Sequence, residues 1–209
     1  MKAAAAAGGM WPWAATQTAW GRDPEMWPGL LELIPDNGTV WCAGAATGEE
    51  ALLLAARTPD TVRIVGSDLM LPALKTAWEG RYPAGMVDAA VDAGRISADD
   101  AARIFADYDD GDEWLHVDKT ITARIQWWPH DLVANPPLTS IDVVVCRNVL
   151  PTIDRKDRAN VIGRLAQMGV PVIVGTTDLL HTGGEWIARF TPGDRPYLLR
   201  PEVARPART

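Results

Sequence analysis

Cysteine and histidine are scarce in this chain of 209 residues, and both shortages exclude chemistry. Two cysteines, Cys42 and Cys146, give no disulfide framework and suit a reducing compartment. Three histidines, His116, His130 and His181, show no paired spacing, so a metal centre is not expected. Bases are outnumbered by acids, 20 against 27, which argues against electrostatic binding of nucleic acid or anionic lipid. No apolar run approaches the roughly 18 residues of a membrane span. The opening "MKAAAAAGG" is too short and too weakly apolar for a secretory signal, and reads as a disordered start. A cytoplasmic protein is expected. What is present is 47% hydrophobic residues, enough to fill the core of one domain with an appended element.

Two stretches stand apart by composition. Residues 10–35 carry Trp11, Trp13, Trp20 and Trp27 among prolines and read as an irregular segment pressed against the fold. Residues 85–118 hold ten acids against two arginines and are expected to face solvent. The rest alternates strand and helix. Thr39 to Cys42 and "VRIVGSD" read as strands, and Glu49 to Arg57 between them as a helix apolar nearly all round. The helix after Asp68 is expected to bury a face of Leu71, Leu74 and Trp78. "ISADDAARIFADY" places Ala101, Ile104, Phe105 and Tyr108 on one helical face, with Ser97 as N-cap. "TITARIQWW" alternates like a strand, while "IDVVVCRN" and "PVIVGTT" are continuous apolar runs, as in central strands covered on both faces. Val161, Ile162, Leu165 and Met168 line a helix ending near Gly169. "EWIARF" and "PYLLR" read as a closing hairpin around "TPGDR". The predicted class is α/β, a doubly wound Rossmann-like sheet, whose ligands lie beyond the carboxyl ends of the strands.

The strand ends therefore carry the candidate site. "AGAATGEE" follows the first strand, and the small residues Ala43, Gly44 and Ala45 let the backbone approach a ligand closely. Glycines at 44 and 48 do not make the dinucleotide fingerprint, which disfavours an NAD-dependent oxidoreductase. Glu50 has two readings: partner of Thr47 in a capping box, or carboxylate for an amino or hydroxyl group of a ligand. Asp68, twenty residues past Gly48, also has two: acceptor for both hydroxyls of a ribose, or cap of the next helix. A ribose acid without a pyrophosphate loop suggests a nucleoside of another kind, and S-adenosylmethionine fits. Cys146 lacks an evident histidine partner and reads as a structural thiol. Arg147 and Asn148 emerge directly after "VVVC", where a ligand would lie.

Taken in order, these segments resemble the chemotaxis-receptor glutamate methyltransferases, the CheR-type branch of the S-adenosylmethionine-dependent enzymes. The resemblance runs from about Thr16 to Tyr197 and rests on "VWCAGAATGEEALLLA", "VRIVGSDLMLPALKTAWEGRYP", "IDVVVCRNVL" and, more loosely, "TQTAWGRDPEMW". It implies a class I methyltransferase sheet at residues 39–209, with a small antiparallel insertion at about 85–128 that includes "ITARIQWW". It also implies that residues 1–38 supply a lid over the cofactor. On this resemblance Thr16, Thr18 and Arg22 approach S-adenosylmethionine from the lid, Glu50 its methionine part, and Asp68 with Leu69 its ribose. Asp131 and Leu132 would flank the adenine, and Arg147, Asn148 and Val149 the transferring methyl. Three departures stand out. The family's helical N-terminal domain has no counterpart here, Thr152 behind Pro151 replaces a tyrosine, and Gly21 replaces an aromatic of the lid.

Transfer of a methyl from a sulfonium to a carboxylate needs alignment and exclusion of water more than acid–base help. Arg22 or Arg147 could hold such a carboxylate in a bidentate pair, and with Asn148 they form the predicted catalytic set. The expected function is O-methylation of a small-molecule, peptide or protein acid, with neither nucleic acid nor membrane as partner. The rival is a sensor or interaction protein that binds the cofactor with reduced turnover.

Overall fold

The computed structural model describes residues 18–108, 111–187, 189–193 and 197–201. Trp11, Trp13 and Thr16 lie outside them. Seven strands form one sheet: β1 (Thr39–Ala43), β2 (Arg63–Asp68), β5 (Ile125–Pro129), β6 (Val143–Cys146), β7 (Val172–Val174), β8 (Phe190–Pro192) and β9 (Leu198–Pro201). Their order is β5-β2-β1-β6-β7-β9-β8. The first five are mutually parallel, while β9 runs antiparallel to β7 and to β8. From β1 the chain winds outward through β2 to β5, then returns to the centre at β6 and winds the other way. The reversal falls between β1 and β6, and a crevice opens there past the strand ends.

The two faces are filled by alternate residues of the same strands. On one side Val40, Cys42, Ile64, Val143, Val145 and Ile173 pack under helix α2 (Glu49–Arg57), whose Ala51 to Ala56 are all buried. On the other, Trp41, Ala43, Val144, Cys146, Val172 and Val174 meet Val161, Ile162 and Leu165 of helix α7 (Arg155–Gln167). Continuous apolar runs thus mark strands covered twice, as expected. Arg124 closes the far end of α2, donating to the carbonyls of Ala55, Thr58 and Pro59.

Several sequence readings need correction. The tryptophan-rich segment is not irregular throughout: a 3₁₀ turn at Pro24–Met26 runs into helix α1 (Trp27–Leu31), which buries Met26, Trp27 and Leu30. Helix α3 (Leu71–Glu79) buries Ala73, Leu74 and Ala77, whereas Leu71 and Trp78 are 59% and 73% exposed. Large apolar side chains at helical spacing were a poor guide there, because small residues form the contact face. Strands β3 (Arg81–Pro83) and β4 (Trp114–His116) make a separate two-stranded antiparallel sheet. Helices α4 (Ala84–Asp92) and α5 (Ala98–Ile104) lie between them in sequence. "TITARIQWW" splits into a helical turn α6 (Lys119–Thr122) and β5, which belongs to the main sheet and not to the small one. Ser97 caps α5 in a capping box with Asp100, as predicted, but the helix ends at Ile104, and Phe105 bridges to Val117. The closing hairpin is β8–β9 alone, since helix α8 (Thr176–Ile187) takes the residues of "EWI".

Candidate cofactor site at the sheet crossover

The crevice between the ends of β1 and β6 is a cleft of about 720 Å³. Its lining contains Thr18, Arg22, Ala43, Gly44, Ala45, Glu50, Asp68, Leu69, Asp131, Leu132, Arg147, Asn148 and Val149. Every described residue singled out from the sequence is thus brought to one place; Thr16 lies outside the described residues.

The floor comes from the two loops that flank the reversal. Gly44 has φ +80°, and a Cβ built on it would meet Val149 Cγ2 at 2.3 Å, so glycine lets the loops after β1 and β6 touch. The amides of Gly44 and Ala45 both donate to the Ser67 carbonyl at 2.8 Å, and that of Ala46 donates to Asp68 Oδ2 at 2.8 Å. Three successive N–H groups that could cradle a phosphate are spent on the end of β2.

Asp68 accepts from Ala46 N through Oδ2 and from Met70 N through Oδ1, at 2.8 and 2.7 Å. Each oxygen can accept a further bond and Asp68 lines the cleft, while the helix-cap reading fails because Met70 is the cap of α3. Glu50 is likewise no cap. The N-cap of α2 is Gly48, and Thr47 donates its hydroxyl to Glu49 instead. Glu50 turns to Arg147, which holds it through one terminal nitrogen. The other terminal nitrogen reaches Asp23 Oδ2 and the Arg22 carbonyl.

Arg147 is therefore not free to grip a substrate carboxylate, as the sequence reading allowed. Its side chain is 3% exposed and both ends of the guanidinium are engaged. Burial opposes its charge, but Glu50 and Asp23 outweigh that and hold its pKa above the usual value. Burial pushes the thiols of Cys42 and Cys146 well up, with Glu50 adding to the shift of both, as befits buried structural thiols.

Trp20, in the segment before α1, is buried with its ring edge-on to Tyr82 and Phe105 at 5.4 and 5.6 Å. Thr18 donates to the buried Glu49 at 2.9 Å. At Gly21, φ is +57° and a Cβ would lie 2.0 Å from the Arg95 carbonyl oxygen, so the aromatic of the family pattern has no room here.

Five contributors escaped the sequence reading: Asp178, Met70, Val133, Asp154 and Asp157. Buried Asp178, from α8, accepts the amides of Asn148, Val149, Leu150 and Gly175, and so shapes the loop after β6 with Asn148 at φ +58°. Burial raises its pKa while these amides pull against that shift. His130, 9% exposed, packs edge-on to Trp41 and donates Nε2–H to the Pro136 carbonyl. Its buried Nδ1, like Arg147 Nε, has no partner among the described residues. Met70 and Val133 add an apolar rim beside Leu69. Asp154 and Asp157 add acids at the mouth. Thr152 donates to the Val149 carbonyl, closing its own turn. Only the left-handed loop offered a signal, an asparagine directly after a buried strand.

The cleft suits S-adenosylmethionine. It has a narrow glycine floor, an aspartate with two open lone pairs, a carboxylate near a buried unpartnered donor, and an apolar rim. Among the described residues no helix is long and apolar enough to cross a membrane.

Residues 31–189 match the family model described as CheR methyltransferase, SAM binding domain. An uncharacterized 104.1 kDa protein in the hypE 3′ region of Rhodobacter capsulatus is 31% identical over 153 residues. That match covers 64% of this chain and spans only 15% of the relative. Among solved structures, a possible exported protein from Bordetella parapertussis shares 15% identity at TM-score 0.47, covering 72% of this chain and 40% of that one. PKMT2 from Rickettsia typhi, in complex with AdoHcy, shares 11% identity at TM-score 0.45, covering 76% of this chain and 26% of its own. With its family match extending over 31–189 of 209 residues, the chain belongs to the CheR methyltransferase family, in its S-adenosylmethionine-binding domain.

Proposed function

We propose that this protein is an S-adenosylmethionine-dependent methyltransferase that forms methyl esters on a carboxylate of a small molecule, peptide or protein. The observation that carries the reading is the meeting of Asp68, Glu50 and Arg22 around one cleft at the β1–β6 reversal. When bound, S-adenosylmethionine supplies a methyl group activated on a sulfonium. Asp68 accepts the ribose hydroxyls through its open lone pairs, Glu50 takes the amino group, and Leu69, Met70, Leu132 and Val133 cover the base beside Asp131. The short Gly44–Val149 contact lets the two loops enclose the reacting end, and the lid excludes water there. Arg22, which lines the same cleft, is assigned to orient the acceptor carboxylate.

The purified protein is expected to bind S-adenosylhomocysteine and not NAD by calorimetry, and to transfer labelled methyl to an acid. A methyl ester is base-labile, so the label should leave as volatile methanol at high pH. Label that survives alkali would point to nitrogen or carbon as acceptor and end the carboxylate reading. A second reading, a cofactor-binding sensor with reduced turnover, is favoured by one observation: the terminal nitrogens of Arg147 and the hydroxyl of Thr152 all donate to groups of the protein itself. Binding without turnover on any carboxylate would select it.

The lid role of Arg22 has its own test. Arg22→Ala should lower acceptor or cofactor affinity, or turnover, with melting temperature changed by less than about 3 °C, as for a half-buried surface substitution. A lower melting temperature with intact binding would mean that the segment only covers the core.

A further inference from the structure

Strand β5 is an edge of the main sheet, and the strand register shows which side chains share a face there. Trp41 of β1 packs on the α7 side, so Thr39 lies on that side too, and the parallel pairing sets Arg63 beside Thr39. Val65, two residues on, pairs with Gln126 of β5, and Ser67 pairs with Trp128. Arg63, Val65, Gln126 and Trp128 therefore stand on one face of the outer two strands. The connection from β5 to β6 contains no helix, so loop residues Leu138 and Ile141 stand beside them where a crossover helix could have lain. The result is a groove of about 320 Å³ that shares no lining residue with the cofactor cleft.

Trp128 borders the groove and is 53% exposed. It is not a lone surface aromatic, because Val65 and Leu138 beside it are half-buried against the core of this face. The charge of the groove is one-sided. Its lining holds Arg63 and Arg124 and no carboxylate, in a chain of net charge −7. Arg124 is spent on carbonyls at the end of α2, and Asp142, next to Ile141, accepts Thr39 N. Arg63 is exposed and makes no side-chain bond among the described residues. A guanidinium at one end of a concave apolar surface and an indole at the other select an anion with an apolar body. Ser67, the partner of Trp128, is four residues past Arg63, roughly 13 Å along the strand, so that body can be about 10 Å long. We propose that the groove is a second binding site, for a small carboxylate with an aromatic or aliphatic body. The acid pairs with Arg63, and the body lies along Val65 to Trp128. This site stands apart from the methyl-transfer reading.

The test is calorimetry with naphthoate and its neutral isostere naphthamide, each titrated into the parent, Arg63→Gln, Trp128→Ala and Arg81→Gln. Arg63 and Trp128 are exposed, so both substitutions leave the core untouched. Arg81 is an exposed arginine on the separate small sheet and controls for net charge alone. Arg63→Gln should bind naphthoate about tenfold more weakly and naphthamide within about twofold of the parent, as for the loss of one charge-assisted pair. Trp128→Ala should weaken both probes by about tenfold, and Arg81→Gln should change neither. A parent that binds no naphthoate at millimolar concentration, or variants that bind it as the parent does, would overturn the proposal. Equal weakening of both probes by Arg63→Gln would overturn the choice of an anion. Saturating S-adenosylhomocysteine should leave naphthoate binding unchanged; displacement would put the probe in the cofactor cleft and remove the second site. Sedimentation supplies the last arm, since self-association lost in Trp128→Ala would make this face an interface between copies and not a ligand site.

Discussion

Asp178→Asn is expected to destabilise the protein by about 3 kcal/mol, with a fall in melting temperature of about 6–12 °C. The substitution is nearly isosteric, so its cost lies in charge and hydrogen-bond polarity and not in packing. Oδ2 of Asp178 accepts from Asn148 N and Gly175 N, and Oδ1 from Val149 N and Leu150 N. An asparagine offers one acceptor oxygen, and its amino group would point at two of these four donors. Two amides then lose their partner in a fully buried place and face N–H groups instead, which costs more than the loss of two ordinary bonds. The loop after β6 should loosen, and Asn148 should leave its left-handed conformation. Binding of S-adenosylhomocysteine should fall with it, because Val149 would leave its seat on Gly44. Thermal melting and calorimetry read the two effects. A variant within about 1 kcal/mol of the parent would show that the loop holds its shape without the carboxylate.

The same residue marks the limit of what the sequence shows. Apolar runs at β1, β6 and β7 are legible because strands covered on both faces must be apolar throughout. Residues directly after such runs have to emerge at the reversal of the sheet, so Gly44, Asp68, Arg147 and Asn148 could be named from position alone. What they bind within the protein could not. Asp178 is thirty residues from Asn148, and Asp23 is 124 from Arg147; only the folded chain pairs them. Helix α8 was hidden in part by Gly183 and Gly184, poor helix formers that tertiary packing overrides. The buried face of α3 was misread because tryptophan is a stronger signal than alanine, while alanine makes the contact here. Thr47-x-x-Glu50 has the form of a capping box, yet the charge of Arg147 draws Glu50 away from the helix end.

Asp68→Ala is expected to weaken S-adenosylhomocysteine binding by about 3 kcal/mol or more, a factor above about a hundred. On the proposed placement the carboxylate accepts two ribose hydroxyls, each bond to a charged group contributing about 1.5–3 kcal/mol. The structure adds a second cost. The same two oxygens accept the amides of Ala46 and Met70, and Ala46 itself is strained at φ +50°. Alanine therefore frees the cofactor loop as well as removing the ribose partner, and a lost affinity alone does not say which mattered. An analogue of S-adenosylhomocysteine without its ribose hydroxyls separates the two. If the hydroxyls bind Asp68, the analogue binds the parent weakly and in Asp68→Ala loses only the part due to the loop, so the double-mutant cycle shows a coupling of about 2 kcal/mol or more. If Asp68 only holds the loop, the analogue and the full ligand lose the same affinity and the coupling vanishes. Asp68→Asn should fall between parent and alanine, since one acceptor oxygen remains. A folded Asp68→Ala protein with undiminished affinity would take the ribose away from this residue, and with it the strongest anchor of the cofactor in the cleft.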